Sequence, residues 1–80
     1  MKVEEIRKII QIEILNEPDF EIEADQDLLL SETLDSLRVT LLVQQLESAC
    51  DISIPPEDVT LENFSTLECI ADYLRQLSGE

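Results

Sequence analysis

Between Glu17 and Asp35 the chain carries eight acids, Glu17, Asp19, Glu21, Glu23, Asp25, Asp27, Glu32 and Asp35, and no basic residue. A regular helix there would set like charges three and four residues apart, and each such contact opposes helix formation. The alternation Phe20, Ile22, Ala24 has the period of a short strand, but no other segment offers it a partner strand. The segment is therefore expected to be a long loop. Loops of this length are uncommon in compact domains and are either functional or held down by their own apolar residues. Phe20, Ile22, Leu28 and Leu30 are the candidates for that anchoring.

The remainder reads as helices. Val3, Ile6, Ile10 and Ile14, with Ile9 beside them, form one apolar stripe, which predicts a first helix from about Val3 to Leu15, stopped by Glu17-Pro18. A second helix is expected from Ser36 to Cys50, with Val39, Leu42, Val43, Leu46 and Cys50 on its core face. Leu37, Leu41 and Gln44, at i, i+4 and i+7, share another face, and the core does not need its two leucines. Unless a neighbouring loop covers them, they make a docking surface. Pro55-Pro56 stops any regular element, and Glu57 to Phe64 leaves room for one short turn with Val59 and Leu61 or Phe64 facing in. Ser65-Thr66-Leu67-Glu68 has the pattern of a capping box, opening a last helix that buries Leu67, Ile70, Ala71 and Leu74 and ends near Gly79. The expected fold is all-α: one domain over residues 1–80, a small antiparallel four-helix bundle of three main helices plus a short third helix, with the long loop between helices 1 and 2.

Charge narrows the function. Nineteen acidic against five basic residues give a formal charge of -14, which repels nucleic-acid phosphates and anionic lipid and attracts basic protein surfaces. There is no histidine, Gly79 is the only glycine, and Cys50 and Cys69 stand apart, so the usual nucleophile, base, zinc and phosphate-cradle constellations cannot be assembled. Neither an enzyme nor a metal site is expected. Asp25-Gln26-Asp27 followed by Glu32 lacks the glycine and spacing of a calcium loop and reads as a solvated charge run. Both cysteines fall on apolar sides of helical patterns and are expected as buried free thiols. Met1-Lys2-Val3-Glu4-Glu5 has no signal-peptide core, and no apolar stretch is long enough to span a membrane. A cytoplasmic monomer is expected.

One short motif stands at the boundary between the acidic loop and the second helix: Leu34-Asp35-Ser36-Leu37. A first helical turn has unpaired N–H groups and the positive end of the macrodipole, so a phosphate ester on Ser36 would sit in a favourable field. Asp-Ser before a helix is also a common N-cap, where either side chain accepts a bond from an amide one turn in and contributes about 1 kcal/mol. These four residues alone favour the cap.

In its frame the motif says more. Asp35-Ser36-Leu37, then Val43 and Leu46 at core spacing, Ile54-Pro55, Asn63-Phe64-Ser65-Thr66-Leu67 and Ile70-Ala71-Asp72-Tyr73-Leu74 together resemble a freestanding acyl carrier protein over nearly the whole chain. The resemblance implies a four-helix bundle in which Ser36 receives 4′-phosphopantetheine from coenzyme A, through a phosphodiester made by a separate phosphopantetheinyl transferase. Asp35 would be a cap and a ligand to the transferase metal. The arm's thiol would carry an acyl or aminoacyl group as a thioester between loading and processing enzymes. Leu37, Thr40, Leu41, Gln44 and Glu47 would face those partners.

Carriers of fatty acid synthesis have a glycine shortly before the serine and a second helix rich in acids. This chain has Thr33-Leu34 and, on the helix, Arg38, Gln44, Gln45 and the single acid Glu47. The balance favours polyketide, nonribosomal peptide or related specialised biosynthesis, with fatty acid synthesis as the alternative. From a different class, an unmodified acidic helical adaptor binding a basic protein would use the same surface.

Overall fold

The computed structural model describes residues 1–79. Helix α1 (Val3–Ile9) opens with the Lys2 backbone N–H donating to Glu5, and has Glu4 and Glu5 near its positive end and Arg7 and Lys8 in its last turn. From Ile10 to Ile14 it widens into a π-helical turn, with the Leu15 N–H reaching the Ile10 carbonyl at 2.8 Å. Ile6 and Ile10 are fully buried, while Val3, Ile9, Ile14 and Leu15 pack half-buried against the same core. The stop is Asn16 rather than Glu17-Pro18. Asn16 takes a left-handed φ of 55°, which asparagine tolerates better than most residues, and turns the chain off the helix axis.

The acidic stretch is a loop with only turns and bends. Of its expected anchors Ile22 and Leu28 are buried, joined by Thr33 and Leu34, whereas Phe20 and Leu30 are exposed. Phe20 closes a turn onto the Glu17 carbonyl instead of continuing the extended run toward Ile22. Leu30 is turned outward by Asp27, whose carboxylate accepts the Leu29 and Leu30 N–H groups at 3.0 and 2.9 Å. The loop is tied down at both flanks. Arg7 Nε donates to the Ile22 carbonyl at 2.8 Å, the Leu28 N–H donates to the Ser65 carbonyl at 2.6 Å, and the Leu34 N–H returns to the Leu28 carbonyl at 2.9 Å. The acidic segment thus delivers Asp35 and Ser36 from a fixed point.

Helix α2 (Ser36–Cys50) buries Val39, Leu42 and Leu46, leaves Val43 and Cys50 half-buried, and ends at Asp51 in the left-handed region. Cys69 is half-buried too, so both thiols are free but less enclosed than their apolar faces predict. A 3-10 turn at Pro56–Asp58 leads to α3 (Leu61–Phe64), which buries Phe64. Helix α4 (Leu67–Ser78) buries Leu67, Ile70, Tyr73 and Leu74, with Ala71 only half-buried, and closes on Gly79 at φ 82°. Its cap is Thr66, which accepts the Cys69 N–H at 3.0 Å. Ser65 is one residue too early, so Glu68 does not reach the third helical position that a capping box requires.

Helix α1 packs on α4, α3 on α4, and α2 on the π-helical turn. The molecule is all-helical, with four α-helices and no strand among the described residues, and no helix among them is long and apolar enough to cross a membrane.

Candidate functional site

Two neighbouring residues divide the work at the head of α2. Asp35, in extended backbone conformation, is the N-cap, and its Oδ1 accepts the Arg38 N–H at 2.8 Å. Ser36 is the first residue of the helix and exposed, and its hydroxyl makes no hydrogen bond among the described residues. The capping role that either side chain could have taken is therefore filled by Asp35, and Ser36 Oγ is free and reachable. Leu34, 1 % exposed, fixes the chain immediately before it.

Beside Ser36 lies a groove of about 370 Å³ between α2 and the segment around α3, walled by Leu29, Val39, Val59, Leu61 and Phe64. A second groove of about 370 Å³ continues along α2 past Val43, Gln44 and Glu47 to Ile54 and Pro56, and Thr40 and Val59 line both. An apolar trough thus runs from the serine along the helix. Thr40 also donates its hydroxyl to the Ser36 carbonyl at 2.9 Å, which braces the first turn. The far wall is braced by Asp58: its carbonyl accepts from Asn63 Nδ2 at 2.9 Å, and its carboxylate accepts the Tyr73 phenol at 2.7 Å. Burial, then the adjoining Asp58 carboxylate, pushes the Tyr73 phenol up to about 12.

The residues expected to face partners separate into two groups. Leu37 and Leu41 lie on the outer side of α2, 68 % and 40 % exposed, with no loop over them. Thr40, Gln44 and Glu47 line the trough. Glu47 is half-buried and its carboxylate accepts the Ile54 N–H at 2.8 Å, so it is committed to the fold. Leu29, at the start of the trough, carried no signal in the sequence beyond its neighbours Leu28 and Leu30. Among the described residues no group of three or more His, Cys, Asp or Glu side chains converges to hold a metal.

The residues present suit a phosphodiester-linked arm: an unengaged hydroxyl on the first helical residue, first-turn amides around it, and an apolar trough leading away. The family described as "Phosphopantetheine attachment site" matches residues 4–74. The chain is 35 % identical over 77 residues to a "D-alanyl carrier protein" of Lactococcus lactis subsp. cremoris strain MG1363, covering 96 % of both chains. It is 36 % identical over 62 residues to the "D-alanyl carrier protein" of Lactococcus lactis subsp. lactis strain IL1403, covering 78 % of both. The resemblance read from Asp35-Ser36-Leu37 and its frame is upheld, and an unmodified adaptor loses its ground. The chain belongs to the phosphopantetheine-binding carrier proteins, which bear 4′-phosphopantetheine as their cofactor and carry substrates for other enzymes rather than catalysing a reaction themselves.

Proposed function

We propose that Ser36 is the attachment point of the arm and that the cargo is an aminoacyl group, with D-alanine the first candidate. The observation that supports this most is the division of labour at the helix head, where Asp35 closes the cap and leaves the Ser36 hydroxyl exposed. A phosphate there is stabilised by the first-turn amides and the macrodipole. When bound, the arm supplies a thiol that holds the cargo as a thioester. The chain's own part is to hold the anchor still, shelter the arm against Val39, Val59 and Leu61, and raise the effective concentration of cargo at each partner.

An aminoacyl cargo is favoured by the relatives, whose names specify D-alanyl carriage. The polyketide and nonribosomal peptide part of the expectation draws no support from them. Fatty acid synthesis stays second, because α2 has a single acid and that acid is engaged by Ile54. The partners are a phosphopantetheinyl transferase, to whose metal Asp35 is a candidate ligand, and the enzymes that load and process the aminoacyl group. Residues 1–80 act as one carrier domain, an antiparallel bundle, monomeric and cytoplasmic.

The test is the intact mass of the protein isolated from its own cell. The expected species carries one arm plus an alanyl group that hydroxylamine releases. A fatty acyl mass moves the chain to the alternative pathway, and a protein isolated without any arm contradicts the proposal.

A further inference from the structure

We infer that the outward face of α2, formed by Leu37 and Leu41 with Arg38 on its flank, docks a protein patch that is apolar and carries a carboxylate. That is the reverse of the basic patch which a chain of charge -14 would ordinarily select. This assignment rests on the carrier role proposed above and names the chemistry of the loading enzyme's side of the contact.

Helix α2 has only two charged side chains, Arg38 and Glu47. Glu47 is half-buried and bonded to the Ile54 N–H, so it offers no free carboxylate to a partner. The exposed residues that remain between the two ends of the helix are Leu37, Arg38, Thr40, Leu41, Gln44 and Gln45, followed by Ser48 and Ala49, a surface whose one charge is positive. Leu37 and Leu41 are one turn apart, and Arg38 precedes Leu41 by three residues, so the cation borders the apolar pair.

Arg38 is also the only basic residue between Lys8 and Arg75. Arg7 is paired with Glu4, and Arg75 with Asp72, but Arg38 has no ion-pair partner among the described residues. Its guanidinium makes one long bond, 3.3 Å, to the Thr33 carbonyl. It stands in the first turn of the helix, where the macrodipole disfavours a cation and favours a carboxylate. Beyond that one bond and the diffuse attraction of the chain's acids, the fold gives this arginine no charged partner among the described residues, and an acid on a docked protein would supply one.

The test uses the arm-bearing protein and the enzyme from the same cell that loads its aminoacyl group. Arg38→Glu is expected to weaken binding about tenfold and raise KM for the carrier similarly at unchanged kcat, while Arg38→Lys stays within about twofold of wild type. Glutamate at 38 stands three residues from Asp35 and adds to the chain's negative charge, so Arg38→Gln is measured beside it. Weaker binding by Arg38→Gln at a closely similar melting temperature assigns the loss to the surface, and undiminished binding by Arg38→Gln overturns the inference. Leu41→Ser should weaken the same binding. A basic partner patch would give the opposite sign, with Arg38→Glu binding as well or better, and that result overturns the inference. Failure of the carrier role shows earlier and differently, as wild-type protein that accepts no arm, and it removes this inference with it.

Discussion

The Tyr73 phenol donates to Asp58 at 2.7 Å and so ties α4 to the turn that carries the far wall of the groove beside Ser36. Phe64, which lines that groove, packs tilted against Tyr73 with ring centroids 5.7 Å apart. One aromatic pair and one hydrogen bond thereby connect the stability of α4 to the shape of the trough.

Tyr73→Phe keeps the ring and removes the bond to a carboxylate, a loss of about 1 to 2 kcal/mol in urea unfolding. The same contact sets a pH dependence. The phenol is raised from 10.0 to about 12 in the folded chain, so the protonated form is favoured by folding. Its contribution is fully present below about pH 10 and is lost as pH climbs toward about 12, because the unfolded chain releases its proton first. Tyr73 is the only tyrosine, so phenolate absorbance reports it alone. A folded-state midpoint near 10 would contradict the contact.

Asp35 and Ser36 should separate cleanly. Asp35→Ala removes the cap and is expected to cost about 1 kcal/mol, whereas Ser36→Ala should change stability by less than about 0.5 kcal/mol. Thermal melts of the two apo variants check this. Equal losses would mean that the serine shares the cap.

Glu47→Ala strips the Ile54 N–H of its partner, and a half-buried donor left unpaired costs about 1 to 3 kcal/mol. Glu47→Gln retains an acceptor and should lose less. If alanine proves neutral by chemical denaturation, Glu47 is free to face partners after all.

Nineteen acids against five bases repel one another within a small body, so moderate salt or magnesium should raise the melting temperature. A flat or falling trend in calorimetry would mean that the acids are too widely spaced to matter.

The helices were legible in the chain because their signals are local. The stripe Ile6, Ile10 and the face Val39, Leu42, Leu46 are periodic, and Gly79 marks an end that a left-handed residue must make. The acidic loop was legible through its charge. Its anchoring was only half so, because Leu28 and Leu30 look alike in sequence and are told apart by the turn that Asp27 caps. The π-helical turn at Ile10–Ile14 depends on a backbone bond that no side chain announces. Position 36 could be read as a cap or as an anchor, since Asp35 and Ser36 both have the chemistry to cap. The choice depends on a hydrogen bond that only the folded geometry displays. In sequence Glu47 reads as a surface acid, because its partner, the Ile54 N–H, lies seven residues away across a turn that periodicity does not describe.

The central claim is that the hydroxyl of residue 36 anchors the arm. Apo protein incubated with coenzyme A, magnesium and a broad-specificity phosphopantetheinyl transferase should gain the mass of a single arm, located by fragmentation on the peptide containing Ser36, and Ser36→Ala should gain nothing. No gain in the wild type, or a gain that survives in Ser36→Ala, would contradict the account.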